Sequence, residues 1–159
     1  MPCMTLVRRA VPEDAEEVLR LRQVMIDSMA RSDPSTAWHA DSLPVLRGRL
    51  AEPDGTFAAF VVDHPERPGA LAALVAGTVD YRIGGARNPQ GVDGYVFSVA
   101  TDPDARRRGY ARACVEALLE WFRERGARRV RLTASAQAEP LYVSLGFERR
   151  PDPLLELRL

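Results

Sequence analysis

A basic stretch containing a glycine directly precedes a long segment with an apolar stripe. Arg106 to Phe122 reads RRRGYARACVEALLEWF and places three arginines and Gly109 where a helix should begin. The first turn of a helix leaves backbone N–H groups unpaired and carries partial positive charge, so it stabilises an anion. Gly109 lacks a Cβ that would keep an anion from the main chain, and the small Ala111 keeps the next turn open. Because arginine adds charge-assisted hydrogen bonds to phosphate oxygens, the stretch predicts a phosphate-binding loop.

A solvated basic loop is the alternative interpretation of these residues. All 22 basic residues of the 159-residue chain are arginine, so arginines also gather in loops that bind nothing. The predicted secondary structure around the stretch and the spacing of its residues distinguish the two interpretations.

The neighbouring segments predict a strand–helix–strand crossover. We expect a strand at Asp93–Ala100, a helix from about Arg108 to Arg125 and a strand at 128–134. Such connections are right-handed and join parallel strands. The basic loop therefore lies at the strand-to-helix junction of a parallel pair.

The remaining segments predict antiparallel strands and further helices around that pair. Further strands are predicted at Thr5–Ala10, Thr56–Asp63, Ala70–Ile83, 146–150 and 154–159. Further helices are predicted at 12–30, Trp38–Leu50 and 138–145. The expected fold is α/β of the α+β type, with a mixed, mostly antiparallel sheet of about six to seven strands and about four helices.

Two motifs at a definite separation resemble a known family. Arg106-x-x-Gly109-x-Ala111 matches the Arg/Gln-x-x-Gly-x-Gly/Ala signature of the GNAT superfamily of acetyl-CoA-dependent N-acetyltransferases. The later Tyr142-x-x-x-Gly146-Phe147 resembles that family's closing motif, and the opening LVRRAVPEDAEEVLRLR resembles its first strand and helix. The resemblance implies a single N-acetyltransferase domain over residues 1–159.

The resemblance also implies a binding mode for acetyl-CoA. The pyrophosphate would lie on the loop and helix start, and the pantetheine arm would run between the splayed parallel strands and pair with main chain near Val99 and Thr101. The N–H near Val99 would polarise the acetyl carbonyl. Tyr142 would protonate the departing thiolate, since an unperturbed tyrosine stays protonated at neutral pH. The implied loop residues are Arg106, Arg107, Arg108, Gly109, Tyr110, Ala111 and Arg112.

Two departures from the family pattern bear on the chemistry. Ser135 stands where many GNAT proteins carry an asparagine seven residues before the tyrosine, and it could still hydrogen-bond CoA. The segment GYVFSVA lacks the glutamate that many members use as general base on the first splayed strand. Proton removal from the acceptor amine would then use a water chain or a carboxylate elsewhere, with Asp80, Asp93 and Asp102 as candidates.

Charge gives a first indication of the acceptor. The net charge is zero, but residues 1–100 carry a balance of −3 and residues 101–159 a balance of +3. This asymmetry favours a cationic amine or an exposed chain N-terminus held on the N-terminal side. Met25, Met29 and Trp38 are candidates to line the acceptor pocket, because the first helices border it in this family.

Composition bounds the location and the other partners. Cys3 and Cys114 are too few for a disulfide framework, and no stretch approaches the roughly 20 apolar residues that cross a bilayer, so we expect a cytoplasmic protein. His39 and His64 have no acid at ligand spacing, so no metal is expected. Cys114 is predicted to be a core residue rather than an acetyl-carrying nucleophile.

Three alternatives to an active enzyme of this kind can be weighed. A basic strip of five arginines in the C-terminal half could bind nucleic acid. It lacks interleaved aromatic residues, so we do not expect such a partner. A dinucleotide fold is excluded because no Gly-x-Gly-x-x-Gly is present. A CoA-binding regulatory protein without turnover stays open, as does a homodimer. The strip comprises Arg128, Arg129, Arg131, Arg149 and Arg150.

Overall fold

A mixed sheet forms the centre of the protein. The computed structural model describes residues 6–29 and 33–159, and in these ranges the sheet has five strands in the order β1-β2-β3-β4-β5. The first four pair antiparallel in sequence, and β4 pairs with β5 in parallel. The strands are β1 Val7–Arg9, β2 Phe57–Asp63, β3 Leu71–Tyr81, β4 Val92–Thr101 and β5 Arg129–Leu132.

Four α-helices within the described residues cover the two faces of the sheet. They are α1 Ala15–Asp27, α2 His39–Leu50, α3 Tyr110–Glu124 and α4 Glu139–Ser144. One-turn 3₁₀ helices at Pro12–Asp14 and Pro103–Ala105 precede α1 and α3. Val18 and Leu21 of α1 pack with β2 and β3 in one core cluster, whereas α3 and Tyr142 of α4 pack in a second.

The helix α3 packs on the sheet at very close range. Leu118 and Phe122 lie one turn apart on its buried face, as a 3.6-residue period requires. A Cβ built on Gly94 of β4 would lie 2.8 Å from ring atoms of Phe122, and one built on Gly77 of β3 would also lie 2.8 Å from that ring. Two glycines under one aromatic ring therefore set the distance between α3 and the centre of the sheet.

A bulge in β4 separates the two parallel strands. Phe97 pairs with Ala76 of β3 but Ala100 pairs with Leu74, so β4 holds one extra residue there. Ser98 adopts a left-handed φ of 55° at this point. The ladder from β4 to β5 covers only Asp93–Val96 on the β4 side. Beyond Val96, the edge of β4 that faces β5 carries main-chain groups without a strand partner in the described residues.

The sequence-predicted fold class is confirmed, but the strand count of six to seven is wrong. The described segments 146–150 and 154–159 form no strand. Arg149 instead forms a bidentate ion pair with Glu139 of α4, which holds the first segment at the helix. Pro151 and Pro153 lack the N–H that a strand ladder needs, and Leu155 beyond them is 86% exposed.

Several predicted boundaries shift by one to three residues. The predicted helix from Arg108 begins at Tyr110, because Arg107 and Gly109 adopt left-handed φ angles of 63° and 78° that a helix cannot contain. The predicted start of the first strand at Thr5 and the predicted end of the first helix at Ala30 lie outside the described residues. No helix within those residues combines the length and apolarity that crossing a membrane requires.

Candidate functional site

A cleft of about 320 Å³ opens where β4 leaves β5. Besides Met25 of α1, it brings together four residues that the sequence singled out, and they come from three different segments. Val99 and Thr101 lie on the open edge of β4, Arg106 belongs to the predicted phosphate-binding loop and Ser135 precedes α4. The other lining residues are Val24, Met25, Ser28, Ala100, Gln137 and Ala138.

The loop before α3 has an irregular backbone that the sequence requires. Arg106 is extended, Arg107 is left-handed, and Gly109 is the N-cap of α3 with a φ of 78°. A Cβ on Gly109 would meet nothing within 4 Å, so the conformation rather than the space demands glycine here. Tyr110 and Ala111 follow in the first turn of α3, where N–H groups lack helical partners.

The four arginines around this loop fall into two pairs. Arg108 contacts the Glu66 carboxylate at 3.4 Å and donates to the Asp104 carbonyl, so it fastens the loop to the β2–β3 turn. Arg112 donates to Ser144 Oγ at 2.8 Å and joins α3 to α4. Arg106 and Arg107 form no ion pair within the described residues, which leaves two cations at the loop for an anion.

An acidic cluster of the buried Asp102 and the half-exposed Asp104 anchors the start of the loop. Asp102 accepts hydrogen bonds from Arg20 of α1 and from Arg67, and Asp104 accepts from Arg67 and from His64 Nε2. The His64 hydrogen bond, followed by the charge of Arg67, lowers the pKa of Asp104. His64, Asp102 and Asp104 have the spacing of a metal site, but Arg67 already bridges the two carboxylates. The cluster therefore acts as an internal ion-pair network.

Tyr142 is buried on α4 next to the core and is not among the residues that line the cleft. The residue is 6% exposed, and its ring meets Phe147 edge-on at a centroid distance of 5.9 Å. Its hydroxyl forms no hydrogen bond within the described residues. No buried side-chain polar atom there lacks a partner, so this hydroxyl reaches accessible space. Burial of the ring raises the pKa of Tyr142.

Ser135 both lines the cleft and begins the turn that precedes α4. Its Oγ accepts a hydrogen bond from the Ala138 N–H at 3.2 Å, and its carbonyl accepts from the N–H groups of Ala138 and Glu139. Such a contact with a backbone N–H group nearby in sequence is one that serine favours in turns. The hydroxyl proton of Ser135 remains available to a ligand in the cleft.

The candidate bases lie outside the cleft lining. Asp93 is buried and paired with Arg129 at 2.8 Å, and it also accepts from Asn88. Asp102 is committed to the network described above. Asp80 lies on β3 opposite Asp93. The cleft lining, within the part of the chain that the structure describes, contains no carboxylate.

Part of the α1 side of the site differs from what the sequence predicts. Met25 lines the cleft as expected, whereas Met29 is 51% exposed and Trp38, which directly precedes α2, lies outside the lining. The contact between Arg22 of α1 and Ser98 at the bulge was not predicted. A serine inside an apolar strand gives no local signal for a left-handed conformation, so only the three-dimensional structure reveals it.

The fold and site together define an acetyltransferase class. The parallel pair β4–β5 parts next to a bulge in β4, and Arg106 of the loop with the Arg-x-x-Gly-x-Ala spacing lines the gap. Residues 23–147 match the model of the acetyltransferase (GNAT) family. The chain belongs to this family, which confirms the resemblance drawn from its motifs. Among curated proteins, a sequence search finds no match.

Solved structures share this fold over nearly the whole chain. A GCN5-related N-acetyltransferase from Ralstonia eutropha is 27% identical with a TM-score of 0.77, covering 95% of this chain and 97% of its own. A predicted acetyltransferase from Clostridium acetobutylicum, solved with acetyl-CoA, is 21% identical with a TM-score of 0.77 and coverages of 96% and 94%. Glucosamine-6-phosphate N-acetyltransferase from Arabidopsis thaliana is 15% identical with a TM-score of 0.71 and coverages of 95% and 96%.

Proposed function

We propose that this protein transfers an acetyl group from acetyl-CoA to a primary amine of a small molecule or a protein. The transfer is direct, within a ternary complex of enzyme, acetyl-CoA and amine. One observation carries the proposal: a single cleft joins the open edge of β4 at Val99 and Thr101 to Arg106 of the basic loop and to Ser135 before α4. Family membership supports acetyl transfer in general.

The basic loop is proposed to bind the pyrophosphate of acetyl-CoA. Left-handed residues next to a helix start turn successive N–H groups toward one concavity, which is a favourable site for phosphate oxygens. Arg106 and Arg107 add charge because neither is ion-paired within the described ranges. Tyr110, Ala111 and Arg112 would present first-turn N–H groups, while Arg108 holds the loop through Glu66.

The open edge of β4 is proposed to bind the pantetheine arm and the acetyl group. Its unpaired main-chain groups at Val99 and Thr101 match the amides of an extended ligand, as an added strand would. The N–H of Val99 would donate to the acetyl oxygen, where negative charge develops as the amine attacks. Ser135 would add a hydroxyl donor to the same ligand from the opposite wall.

Tyr142 is proposed to be the general acid. The amine nitrogen forms a bond to the acetyl carbon, the carbon–sulfur bond breaks, and the sulfur takes the phenolic proton of Tyr142. Its raised pKa keeps that proton in place at neutral pH. The amine loses its own proton to water, since the described cleft lining offers no carboxylate.

The burial of Cys114 supports direct attack rather than an acetyl-cysteine intermediate. Cys114 is fully buried on α3, and desolvation raises the pKa of its thiol to about 12. Since the thiolate is the nucleophilic form, this cysteine is inert at neutral pH.

An acyl-CoA-binding regulatory protein of the same fold is the second candidate. The lack of a carboxylate in the described cleft lining favours it. Release of free CoA thiol during incubation with acetyl-CoA and a broad amine panel distinguishes the two. Binding of acetyl-CoA by calorimetry, without thiol release for any amine, would leave only the regulatory role.

The remaining assignments stay predictions. A single domain over residues 1–159, a cytoplasmic location and the lack of a bound metal rest on the sequence. The expectation that nucleic acid is not a partner also rests on the sequence. The ion pairs of Arg129 with Asp93 and of Arg149 with Glu139 agree with it, because they neutralise part of the basic strip. A homodimer remains an alternative to a monomer, and sedimentation would decide between them.

A further inference from the structure

Arg22 of α1 is a half-buried cation that lacks a counter-ion. Its Nη1 donates to the Ser98 hydroxyl at 2.5 Å, and no carboxylate of the described residues lies within ion-pair distance. A guanidinium carries five N–H donors in a planar fork, and this single contact uses one of them. A partly desolvated charge without a partner is costly, so the arrangement favours an external anion.

Other charged groups on the same helix have hydrogen-bond partners within the protein. Arg20, two residues earlier, bonds to both Glu17 and Asp102. Asp27, five residues later, accepts a hydrogen bond from Gln23 and does not reach Arg22. The open state of Arg22 therefore reflects its particular position on α1 rather than a shortage of acids nearby.

That position is beside the proposed reaction centre. Ser98, the hydrogen-bond partner, is the bulge residue that directly precedes Val99, and consecutive Cα atoms lie only about 3.8 Å apart. Met25, one helical turn after Arg22, lines the cleft together with Val99. Arg22 is not itself among the lining residues, but its contact with Ser98 places the guanidinium next to the cleft wall that Val99 forms, on the α1 side.

We infer that Arg22 binds an oxyanion carried by the acceptor, so that the substrate is a small acidic amine. The amine would attack at Val99 while a carboxylate or phosphate group on the next few atoms meets the free donors of Arg22. This inference rests on the proposed acetyl transfer and names the substrate class of that site. Arginine suits the role because its fork matches planar and tetrahedral oxyanions in bidentate fashion.

The charges around the cleft agree with this assignment. The −3 balance of residues 1–100, which favours a cationic acceptor, does not reach the cleft, whose described lining has no carboxylate. Several acids of that half form ion pairs with arginines: Asp14 pairs with Arg8, and Glu16 pairs with Arg47. An acidic amine would keep its amino group for the reaction and add the anion that Arg22 lacks.

The first test is substrate preference in the parent protein. The panel pairs each α- and β-amino acid with its own amide and adds aminomethylphosphonate as a phosphate mimic, with thiol release as the readout. We expect kcat/KM for at least one acid to exceed that of its amide by about tenfold or more, as a charge-assisted bidentate contact predicts. The amide has the larger fraction of neutral amine, so greater amine reactivity cannot produce this preference.

Variants then locate the preference at Arg22. Arg22→Gln should reduce the acid-to-amide ratio of kcat/KM by about tenfold, mainly through KM of the acid, and Arg22→Lys should recover part of it. Arg49→Gln is the matched control, because Arg49 is an exposed arginine of α2 without an ion pair in the described residues. It should leave the ratio unchanged. Acetyl-CoA calorimetry verifies that each variant is folded.

The failures are distinguishable. Two results overturn the role of Arg22 and leave acetyl transfer standing. One is thiol release with the amides that is at least as fast as with every acid. The other is an acid preference that survives Arg22→Gln. No release with any amine overturns the proposed enzyme. In that case, calorimetric titration of the amino acids into the protein saturated with CoA still tests the anion site, and binding no tighter than that of the amides overturns it.

Discussion

His64 Nε2 and Asp104 Oδ1 lie 2.9 Å apart and connect the end of β2 to the turn that begins the basic loop. The other ring nitrogen of His64 accepts from the Glu66 N–H, so Nε2 carries the proton and donates it to the carboxylate. Arg67 donates to the second oxygen of Asp104, and Arg108 donates to its carbonyl. One aspartate thereby fixes the loop to three partners.

The first prediction follows from this link. Asp104→Asn removes the charge that holds His64 and Arg67 while keeping the size of the side chain. The loop should lose part of its order, and the dissociation constant of acetyl-CoA should rise by about three- to tenfold. That change corresponds to the net free energy of about one hydrogen bond. Calorimetry measures it. Glu120→Gln, which breaks an exposed pair with Arg123, is the control, and an equal effect there would refute the link.

The second prediction separates charge from conformation at Gly109. Asn and Asp both tolerate the left-handed φ of 78° better than other residues with a Cβ, and they have nearly the same size. Gly109→Asp places a negative charge at the proposed pyrophosphate site and should weaken acetyl-CoA binding by about tenfold or more relative to Gly109→Asn, about 1.4 kcal/mol. Equal affinity of the two variants by calorimetry would show that no phosphate binds there.

The third prediction concerns the bulge. Ser98 holds a φ of 55°, which a β-branched residue adopts only with strain. Ser98→Val should lower the free energy of unfolding by about 1–3 kcal/mol, measured by urea denaturation. Ser98→Gly relieves the strain and is the control, because it loses the same hydroxyl contact with Arg22, and it should unfold at a higher urea concentration than Ser98→Val. If valine is tolerated as well as glycine, the bulge is not held at this residue.

The sequence was sufficient for some parts of this site and insufficient for others. The loop could be predicted because Gly109 and the spacing of Arg106 and Ala111 are local signals. The bulge at Ser98 could not, since a register shift arises between two strands. Long-range partners were equally hidden: Arg20 and Asp102 are 82 positions apart, and only the fold brings them together.

The wrong strands at 146–150 and 154–159 have a related cause. Alternating leucines predict a strand from local pattern, but a strand also needs an edge with which to pair. Proline at 151 and 153 and the contact of Arg149 with Glu139 place this segment elsewhere. Pairing is a property of the whole sheet, so a local pattern overestimates the number of strands.

The fourth prediction tests the close packing of α3. Gly94→Ala adds a methyl group where Phe122 ring atoms lie 2.8 Å away, and overpacking of this kind costs about 1–3 kcal/mol of unfolding free energy. Phe122→Leu alone should also destabilise. Their combination should cost less than the sum of the two, since the smaller side chain leaves room for the methyl group. Strict additivity in urea denaturation would contradict the contact.

The last prediction concerns Tyr142 as the proton donor to CoA. Tyr142→Phe keeps the ring and its contact with Phe147 but deletes the proton. The hydroxyl has no hydrogen-bond partner in the described residues, so thermal stability and acetyl-CoA affinity should stay close to those of the parent. General-acid catalysis is typically worth about 10²–10⁴-fold. A thiolate leaves readily even without a proton, so we expect kcat to fall by at least about tenfold, or about 1.4 kcal/mol in the barrier.

The pH dependence of the rate distinguishes this role from packing. Burial raises the pKa of Tyr142 above its ordinary value of 10.0, and the acid acts only while protonated. The parental kcat should therefore hold through neutral pH and decline only as pH rises above 10, whereas Tyr142→Phe should lack that decline. Parental turnover in the variant would reduce Tyr142 to a packing residue. A large loss of thermal stability would show instead that the hydroxyl is structural, because removal of an unpartnered, accessible hydroxyl should not unfold the protein.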